Sequence, residues 1–172
     1  MSQGLAMNMT VREILLRDFA GASDVVKATD REDRSGVDWW AVIPGRGRVG
    51  IDLKARQSID LGDLALETWS VCPTSSSPGR IGWARDHTKR CDYILFYFEK
   101  TGRHALLPFP MLCSVFSAEW VNWSGWDYPF PRHRQTTTRQ GVNAYESECL
   151  FVPADFVWSA ITTRYGLAGG EA

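Results

Sequence analysis

Long hydrophobic runs and an excess of either charge are both missing from the sequence. No apolar stretch reaches the roughly 18 residues that a membrane span needs, and the opening MSQGLAMNMT lacks the basic and then apolar layout of a signal peptide. The formal net charge is −1, so the molecule has no overall field that attracts nucleic acid. We therefore expect a cytoplasmic protein, in a bacterial or phage-infected host cytosol, without membrane contact and without a DNA-coating role.

Paired cysteines are also missing. The cysteines stand far apart in the sequence and none belongs to a CxxC pair: Cys72, Cys91, Cys113 and Cys149. A disulfide framework or a zinc site needs closer, paired spacing, and the pair formed by His87 and Cys91 has no second pair to complete it. We expect free, mostly buried thiols.

The first half of the chain predicts one helix and several strands. At 172 residues the chain is most simply a single domain over 1–172, long enough to bury a core. Helical spacing in TVREILLRDF predicts a helix in which Thr10 and Glu13 form a capping box. Residues 21–35 lose this period and predict a ragged second helix or a loop. Strand-like runs follow at 37–43, 48–55 and 64–72.

The second half alternates strand and helix patterns. Residues 91–99 and 104–110 predict two further strands, and Pro110 is expected to open a helix. Residues 124–148 predict a polar loop or an irregular hairpin, and a final helix begins near Pro153 and stops at Gly166. This order favours an α/β fold, or an α+β one, with a central mixed β-sheet and flanking helices.

The stretch GRGRVG, residues 45–50, matches the glycine spacing of a dinucleotide-binding loop. That motif requires a helix after the glycines, so that a phosphate can lie at the helix N-terminus. The residues that follow, IDLKA, alternate as a strand does. We therefore interpret PGRGR as a tight turn between antiparallel strands, with glycine supplying positive φ angles.

Side-chain alternation on this hairpin groups three charged residues. Asp52 and Lys54 point away from the face of Ile51, and Asp38 points away from the face of Trp39. If both apolar faces share one core, Asp38 lies on the same side as Asp52 and Lys54. That arrangement requires a turn of three or five residues, or a bulge, because a two-residue turn at 45–46 puts Asp38 on the wrong face.

Two carboxylates and one ammonium on a shared face suit a hard divalent cation, Mg²⁺ or Mn²⁺. Asp38 and Asp52 would be ligands, with the backbone carbonyl of Leu53 between Asp52 and Lys54 as a further ligand. Such a cation lowers the pKa of a bound water and offsets the charge of a phosphate. Lys54, roughly 6.6 Å along the strand from Asp52, would orient that water or stabilise developing negative charge.

The pattern Asp38 … Asp52-Leu53-Lys54 resembles the D…(D/E)xK signature of the PD-(D/E)XK nuclease superfamily. The stretch IGWARDHTKRCDYILFYFE resembles a subset of bacterial and phage members, and the likeness covers residues 10–115 loosely. Val37 replaces the proline that usually precedes the first aspartate. The resemblance implies a restriction-endonuclease-like core, αβββαβ, and metal-dependent hydrolysis of DNA or RNA.

The resemblance also suggests further residues. Glu13 matches the glutamate of the family's first helix, and Glu67 lies on the expected third strand, so both are candidate metal ligands. Asp92 is expected to begin a strand or cap a turn. By chance, D…DxK also arises in hairpins whose charges are simply solvated. A catalytically inactive binding protein of the same fold, acting on a nucleic-acid-processing partner, and a phage structural or accessory protein are the alternatives to an enzyme.

Basic residues mixed with hydroxyls and amides are typical of contacts to a nucleic-acid backbone, although each is also compatible with a solvated loop. The expected contacts are Arg56, Gln57, Arg85, Lys89, Arg132, Arg134 and Arg139. Trp120, Trp123 and Trp126 are spaced three apart; we expect an aromatic plug, with a stacking platform for single-stranded bases or a homodimer contact as alternatives.

Overall fold

A computed structural model describes residues 3–57, 62–125, 130–139 and 142–167. Its elements, in chain order, are α1 (Gln3–Asp18), β1 (Asp24–Lys27), α2 (Asp30–Asp33), β2 (Trp39–Ile43), β3 (Gly47–Arg56), β4 (Asp63–Val71), β5 (Arg80–Ile81), a 3-10 helix (Trp83–Arg85), β6 (Tyr93–Phe98), β7 (His104–Pro108), α3 (Phe109–Trp123), β8 (Arg132–Arg139), β9 (Val142–Pro153) and α4 (Ala154–Tyr165). In the described part of the chain, no helix is long and apolar enough to cross a membrane.

The elements group into two compact units. The first combines Met1–Gln57 with Lys89–Phe109, and the second combines Ser58–Thr88 with Pro110–Ala172. The expectation of a single domain stays a prediction. Both sequence halves contribute to each unit, so the chain leaves the first unit after β3 and returns to it before β6.

The first unit is a five-stranded mixed sheet in the order β1-β2-β3-β6-β7. The strands β1, β2 and β3 form an antiparallel meander, β6 runs parallel to β3, and β7 is antiparallel to β6. Helix α1 covers one face, where Leu15 joins Trp39, Ala41 and Ile51 in a buried cluster. The predicted α/β class with a mixed sheet and flanking helices is confirmed at this level.

The meander differs from the predicted one by a whole strand. Residues 24–27, inside the segment predicted as a helix or loop, form β1 and pair with β2. The run at 64–72 was expected to be the third strand of this core, and that expectation is wrong. Its strand β4 instead pairs with β5 and β9 in a separate sheet. Alternation alone marks a strand without specifying its partner, because any apolar sheet face satisfies the same pattern.

The N-terminal capping box was also predicted at the wrong place. Helix α1 begins at Gln3, so Thr10 lies inside it, and the Thr10 hydroxyl donates to the carbonyl of Ala6 at 3.2 Å. The capping box is at α2, where the Thr29 side chain accepts from the Glu32 amide and the Glu32 carboxylate accepts from the Thr29 amide. The motif is short enough to occur twice by chance, and only hydrogen-bond geometry identifies the real cap.

The turn between β2 and β3 has the odd length that the face argument requires. Ile43 pairs with Gly47, so three residues, 44–46, form the loop, centred on Gly45. Gly45 and Gly47 have φ angles of 75° and 96°, which a side chain would disfavour. The interpretation of PGRGR as a tight turn with positive-φ glycines is confirmed, and its length meets the condition set by the strand faces.

The second unit holds a four-stranded sheet in the order β5-β4-β9-β8, together with α3 and α4. The predicted polar loop at 124–148 contains a hairpin of β8 and β9, with a register shift between Thr137 and Thr138. This matches the irregular-hairpin alternative. The helix expected from Pro110 begins one residue earlier, and Gly166 ends α4 in the left-handed conformation, with φ of 62°.

The two candidate caps allow a direct stability test. We expect Thr29→Ala to lower the free energy of unfolding by about 1 kcal/mol, because it removes a side-chain acceptor from an orphan helix amide. The matched change Thr10→Ala should leave stability unchanged or raise it slightly, since alanine is the better residue inside a helix. Urea unfolding measures both variants, and equal losses for the two would contradict this assignment of the cap.

Candidate functional site

Two hydrogen bonds hold Asp38 against β3, directly before β2 begins. Its amide donates to the carbonyl of Ile51 at 2.8 Å, and its Oδ2 accepts from the amide of Leu53 at 2.7 Å. The pairing of β2 with β3 ends at Trp39 and Ile51, so Asp38 lies just outside it. The Asp38 carboxyl nevertheless lies beside that of Asp52, because the charge of Asp52 and a side-chain hydrogen bond with it both raise the pKa of Asp38. The structure therefore brings together the two carboxylates that the sequence predicted.

Two lysines surround the carboxylate of Asp52. The Nζ of Lys54 lies 2.8 Å from its Oδ1, and the Nζ of Lys89 lies 2.5 Å from its Oδ2. The Asp52 side chain is only 4% exposed, whereas those of Lys54 and Lys89 are 28% and 13% exposed. A buried carboxylate is tolerated only when it is paired, and here each oxygen has its own ammonium partner.

The two acids have pKa values displaced in opposite directions. Burial raises the pKa of Asp38 to about 6, and the neighbouring Asp52 charge adds to the rise although the Leu53 amide opposes it. Burial alone would also raise the pKa of Asp52, but the ammonium groups of Lys54 and Lys89 outweigh it and hold that pKa below its usual value. Such a split between adjacent carboxyls is typical of functional sites and also occurs in structural ion-pair networks.

Lys89 was expected only as a nucleic-acid contact, and the structure places it inside the carboxylate cluster. The residues directly after it are anchored twice: the Arg90 amide donates to the Ser35 carbonyl at 3.1 Å, and the Asp92 amide donates to the Gly50 carbonyl at 2.7 Å. The Asp92 carboxylate in turn accepts from the Gly50 amide at 2.7 Å, directly before β6. One signal in the sequence could have indicated this placement: Lys89 stands just ahead of the strand pattern at 91–99, the strongest in the chain.

Cys91 is a buried neighbour of this cluster that sequence reasoning did not place there. Burial, followed by the charge of Asp52, raises the pKa of its thiol to about 12. The group is therefore a neutral thiol near neutral pH, and thiolate is the form that attacks or ligates. All four cysteines are free, and three of them are buried, as predicted.

The Leu53 backbone carbonyl lies on the side of β3 that faces Asp38. The amide and carbonyl of one strand residue point to the same side, and the Leu53 amide points to Asp38. The pairing of β2 with β3 ends at Trp39 and Ile51, so β2 does not accompany β3 at Leu53. The position predicted for a backbone ligand is therefore on the Asp38 side of the strand.

The two additional acidic candidates are not on the strands that carry Asp38 and Asp52. Glu13 is exposed on α1, which packs on the sheet face opposite to Asp38 and Asp52, so the structure does not bring it to them. Glu67 belongs to the second unit, where its Oε2 accepts from the Trp83 amide at 3.0 Å. Strand β4, which carries Glu67, is not a member of the sheet that carries Asp52.

Arg56 and Gln57, two of the predicted nucleic-acid contacts, lie in the first unit with Asp52. By strand alternation, Arg56 continues the row of Asp52 and Lys54, and its guanidinium lies 5.9 Å from the ring centre of Phe98. Gln57 is exposed just after β3. These side chains extend the polar row along one strand.

The remaining predicted contacts lie in the second unit. The Arg85 guanidinium lies over the rings of Trp69 and Trp120, at 5.1 and 4.4 Å, and burial lowers its pKa. Arg134 pairs with the buried Glu148 at 2.9 Å. Arg132 donates to the Ser124 hydroxyl at 2.5 Å. The side chain of Arg139 does not belong to the described part of the chain.

The tryptophan cluster is partly an aromatic plug. Trp123 is buried and its ring lies 5.8 Å from that of Phe116 and 5.3 Å from that of Phe156, in tilted and edge-to-face contacts. Trp120 stacks with Arg85, and Trp126 lies outside the described residues. The plug interpretation therefore holds for Trp123.

A divalent cation at this site would have few protein ligands. Within the described ranges, no group of three or more His, Cys, Asp or Glu side chains is arranged to hold a metal ion. Magnesium usually retains several waters and takes only one or two carboxylates, which Asp38 and Asp52 provide beside the Leu53 carbonyl. The fit requires displacement of an ammonium, because both oxygens of Asp52 are already in ion pairs.

Comparisons with known protein families, with curated proteins and with solved structures found no match for this chain. The functional interpretation therefore depends on the geometry of the chain itself.

The raised pKa of Asp38 has a consequence for stability in metal-free buffer. A carboxyl whose folded-state pKa is about 6 and whose ordinary value is 3.8 binds its proton more tightly in the folded state. The contribution of this proton binding to stability is therefore complete at pH values below 3.8 and is lost as the pH rises through about 6. Asp38→Asn remains neutral, so we expect it to become progressively more stable than the wild type over this interval.

Urea unfolding in EDTA, at several pH values between about 4 and about 8, measures the difference in free energy of unfolding between Asp38→Asn and the wild type. The exposed change Asp33→Asn, at the end of α2, controls for a general effect of removing an acidic charge. A stability difference between Asp38→Asn and the wild type that does not vary with pH would contradict the assignment.

Proposed function

We propose that this protein is a metal-dependent phosphodiesterase that hydrolyses DNA or RNA through a site of the D…DxK type. The observation that carries the proposal is the contact of the Asp38 carboxyl with that of Asp52, together with Lys54 bound to Asp52 at 2.8 Å. The antiparallel meander followed by a parallel strand, β6, also supports a restriction-endonuclease-like core. DNA is the expected substrate. The protein would act on it as a monomer or as a homodimer.

Asp38, Asp52 and the Leu53 carbonyl would hold Mg²⁺ or Mn²⁺. A cation bound in this way supplies a water of lowered pKa and compensates charge on a phosphate. Asp38 must lose its proton to serve as a ligand, since only the carboxylate coordinates a hard cation. Its pKa of about 6 leaves it ionised at neutral pH.

Lys54 supplies a positive charge that is partly accessible, with 28% of its side chain exposed. An ammonium fixed beside a buried carboxylate is oriented before substrate arrives, so it can hold an attacking water or a phosphate oxygen with little rearrangement. Arg56, on the same face two residues further along β3, extends the positive row in the direction of Gln57. Backbone contacts of this kind position a nucleic acid without reading its sequence.

A second candidate function is a binding protein that has this fold without catalysis. The specific observation in its favour is that both oxygens of Asp52 are paired with lysines, which neutralise the carboxylate without a metal. In this case the protein would act on a nucleic-acid-processing partner.

Nuclease assays separate the two candidates. Purified protein is incubated with supercoiled plasmid, linear duplex, single-stranded DNA and RNA, each with Mg²⁺, Mn²⁺ or EDTA. We expect cation-dependent cleavage of at least one substrate. Asp52→Asn and Lys54→Met should lower its rate by about 100-fold or more, the loss typical for removal of a preorganised electrostatic group.

The matched control is Lys100→Met, an exposed lysine in the turn between β6 and β7, which should retain the wild-type rate. Circular dichroism establishes that each variant is folded. Absence of cleavage on every substrate with either cation would overturn the proposed enzyme and favour the binding protein. Equal rates for Lys54→Met and Lys100→Met would remove Lys54 from the site.

A further inference from the structure

Lys89 is held against Asp52 more closely than a surface lysine would be. Its Nζ lies 2.5 Å from Asp52 Oδ2, and its side chain is only 13% exposed. The residue comes from a segment far from β3 in the sequence, which returns to the first unit immediately before β6. The ion pair is therefore made by tertiary structure and not by neighbours on one strand.

The backbone around Gly36 leaves room for this lysine. A Cβ atom on Gly36 would lie 2.7 Å from Cε of Lys89 and 2.9 Å from its Nζ, which is closer than real side chains approach. Gly36 also has a φ of 88°, a conformation that other residues rarely adopt. The Arg90 amide, bonded to the Ser35 carbonyl at 3.1 Å, ties the two segments together beside this gap.

Oδ2 of Asp52 cannot bind Lys89 and a divalent cation at the same time. A hard cation draws its ligands to about 2.1 Å, and it would repel an ammonium bound to the same group. We propose that Lys89 is the counter-ion of Asp52 in the metal-free protein, and that a divalent cation binds this site only by displacing Lys89. This inference depends on the assignment of Asp52 as a cation ligand in the proposed function.

Displacement makes the two positive partners mutually exclusive. By linkage, the cation weakens the contact of Lys89 with Asp52 by the same factor by which Lys89 weakens cation binding. Lys54 differs in this respect, because it binds the other oxygen and is twice as exposed, at 28% against 13%. Lys89 is therefore the residue that sets the cation concentration at which the site fills.

Direct measurement of Mn²⁺ binding tests this competition. Free Mn²⁺ is quantified by electron paramagnetic resonance during titration of the wild type, Lys89→Met, Lys89→Gln and Lys100→Met, without any nucleic acid. We expect Lys89→Met to bind Mn²⁺ roughly tenfold more tightly than the wild type, within the range of about 5- to 150-fold that is typical of coupled sites. Lys100→Met should match the wild type.

Lys89→Gln guards against misfolding, because it removes the charge but keeps a hydrogen-bond donor for Asp52. It should also bind Mn²⁺ more tightly than the wild type. Thermal unfolding gives a second readout: Lys89→Met should melt below the wild type in EDTA, and added Mn²⁺ should raise its Tm more than that of the wild type. Addition of Asp52→Asn to Lys89→Met should abolish the gain in affinity.

Cation affinities for Lys89→Met and Lys89→Gln that equal that of Lys100→Met, or fall below it, would overturn the inference, as would the absence of Mn²⁺ binding in every variant. Binding by the Lys89 variants alone would support it strongly. These outcomes are distinct from failure of the proposed function, which is measured as cleavage: a protein that binds Mn²⁺ in competition with Lys89 but cleaves nothing would retain the inference and lose the enzyme.

Discussion

The register between β2 and β3 is the constraint on which the candidate site depends. A three-residue turn pairs Trp39 with Ile51, and Asp38 directly precedes this pair with its carboxyl beside that of Asp52. A slip by one residue would turn Asp38 to the core face, because side chains alternate with a period of two. The core opposes such a slip, since Trp39 and Ile51 are buried beneath α1. The hydrophobic pairing that stabilises the sheet therefore also positions the acidic pair.

The electrostatics of the site follow from burial on that face. Two carboxylates so close together repel each other, and the protein resolves the repulsion unequally. Asp52 is ionised between two ammonium groups, whereas Asp38 has a raised pKa and accepts a single backbone hydrogen bond from Leu53. One acid is therefore held ionised at neutral pH, whereas the other titrates near pH 6.

The failures of sequence-based reasoning share one physical cause. Thr10 and Glu13 satisfy the capping pattern as well as Thr29 and Glu32 do, but the pattern contains no information on where a helix begins. In the same way, the run at 64–72 satisfies strand alternation, yet its strand pairs with β9. Local patterns describe what a segment can form, and the partner is chosen by contacts between residues far apart in the chain.

The sequence by itself determined the hairpin, its two faces and the place of Asp52 and Lys54 on one of them, because turn chemistry and side-chain alternation are local properties. The register of β2 with β3 decided the length of the turn, and with it the grouping of Asp38 with those two residues. Tertiary structure alone decided that β6 lies beside β3, and thereby that Lys89 reaches Asp52 through the space left at Gly36. It also decided that Glu67 lies on a strand of another sheet. Strand partners follow from the burial of whole sheet faces, which no spacing within a short segment records.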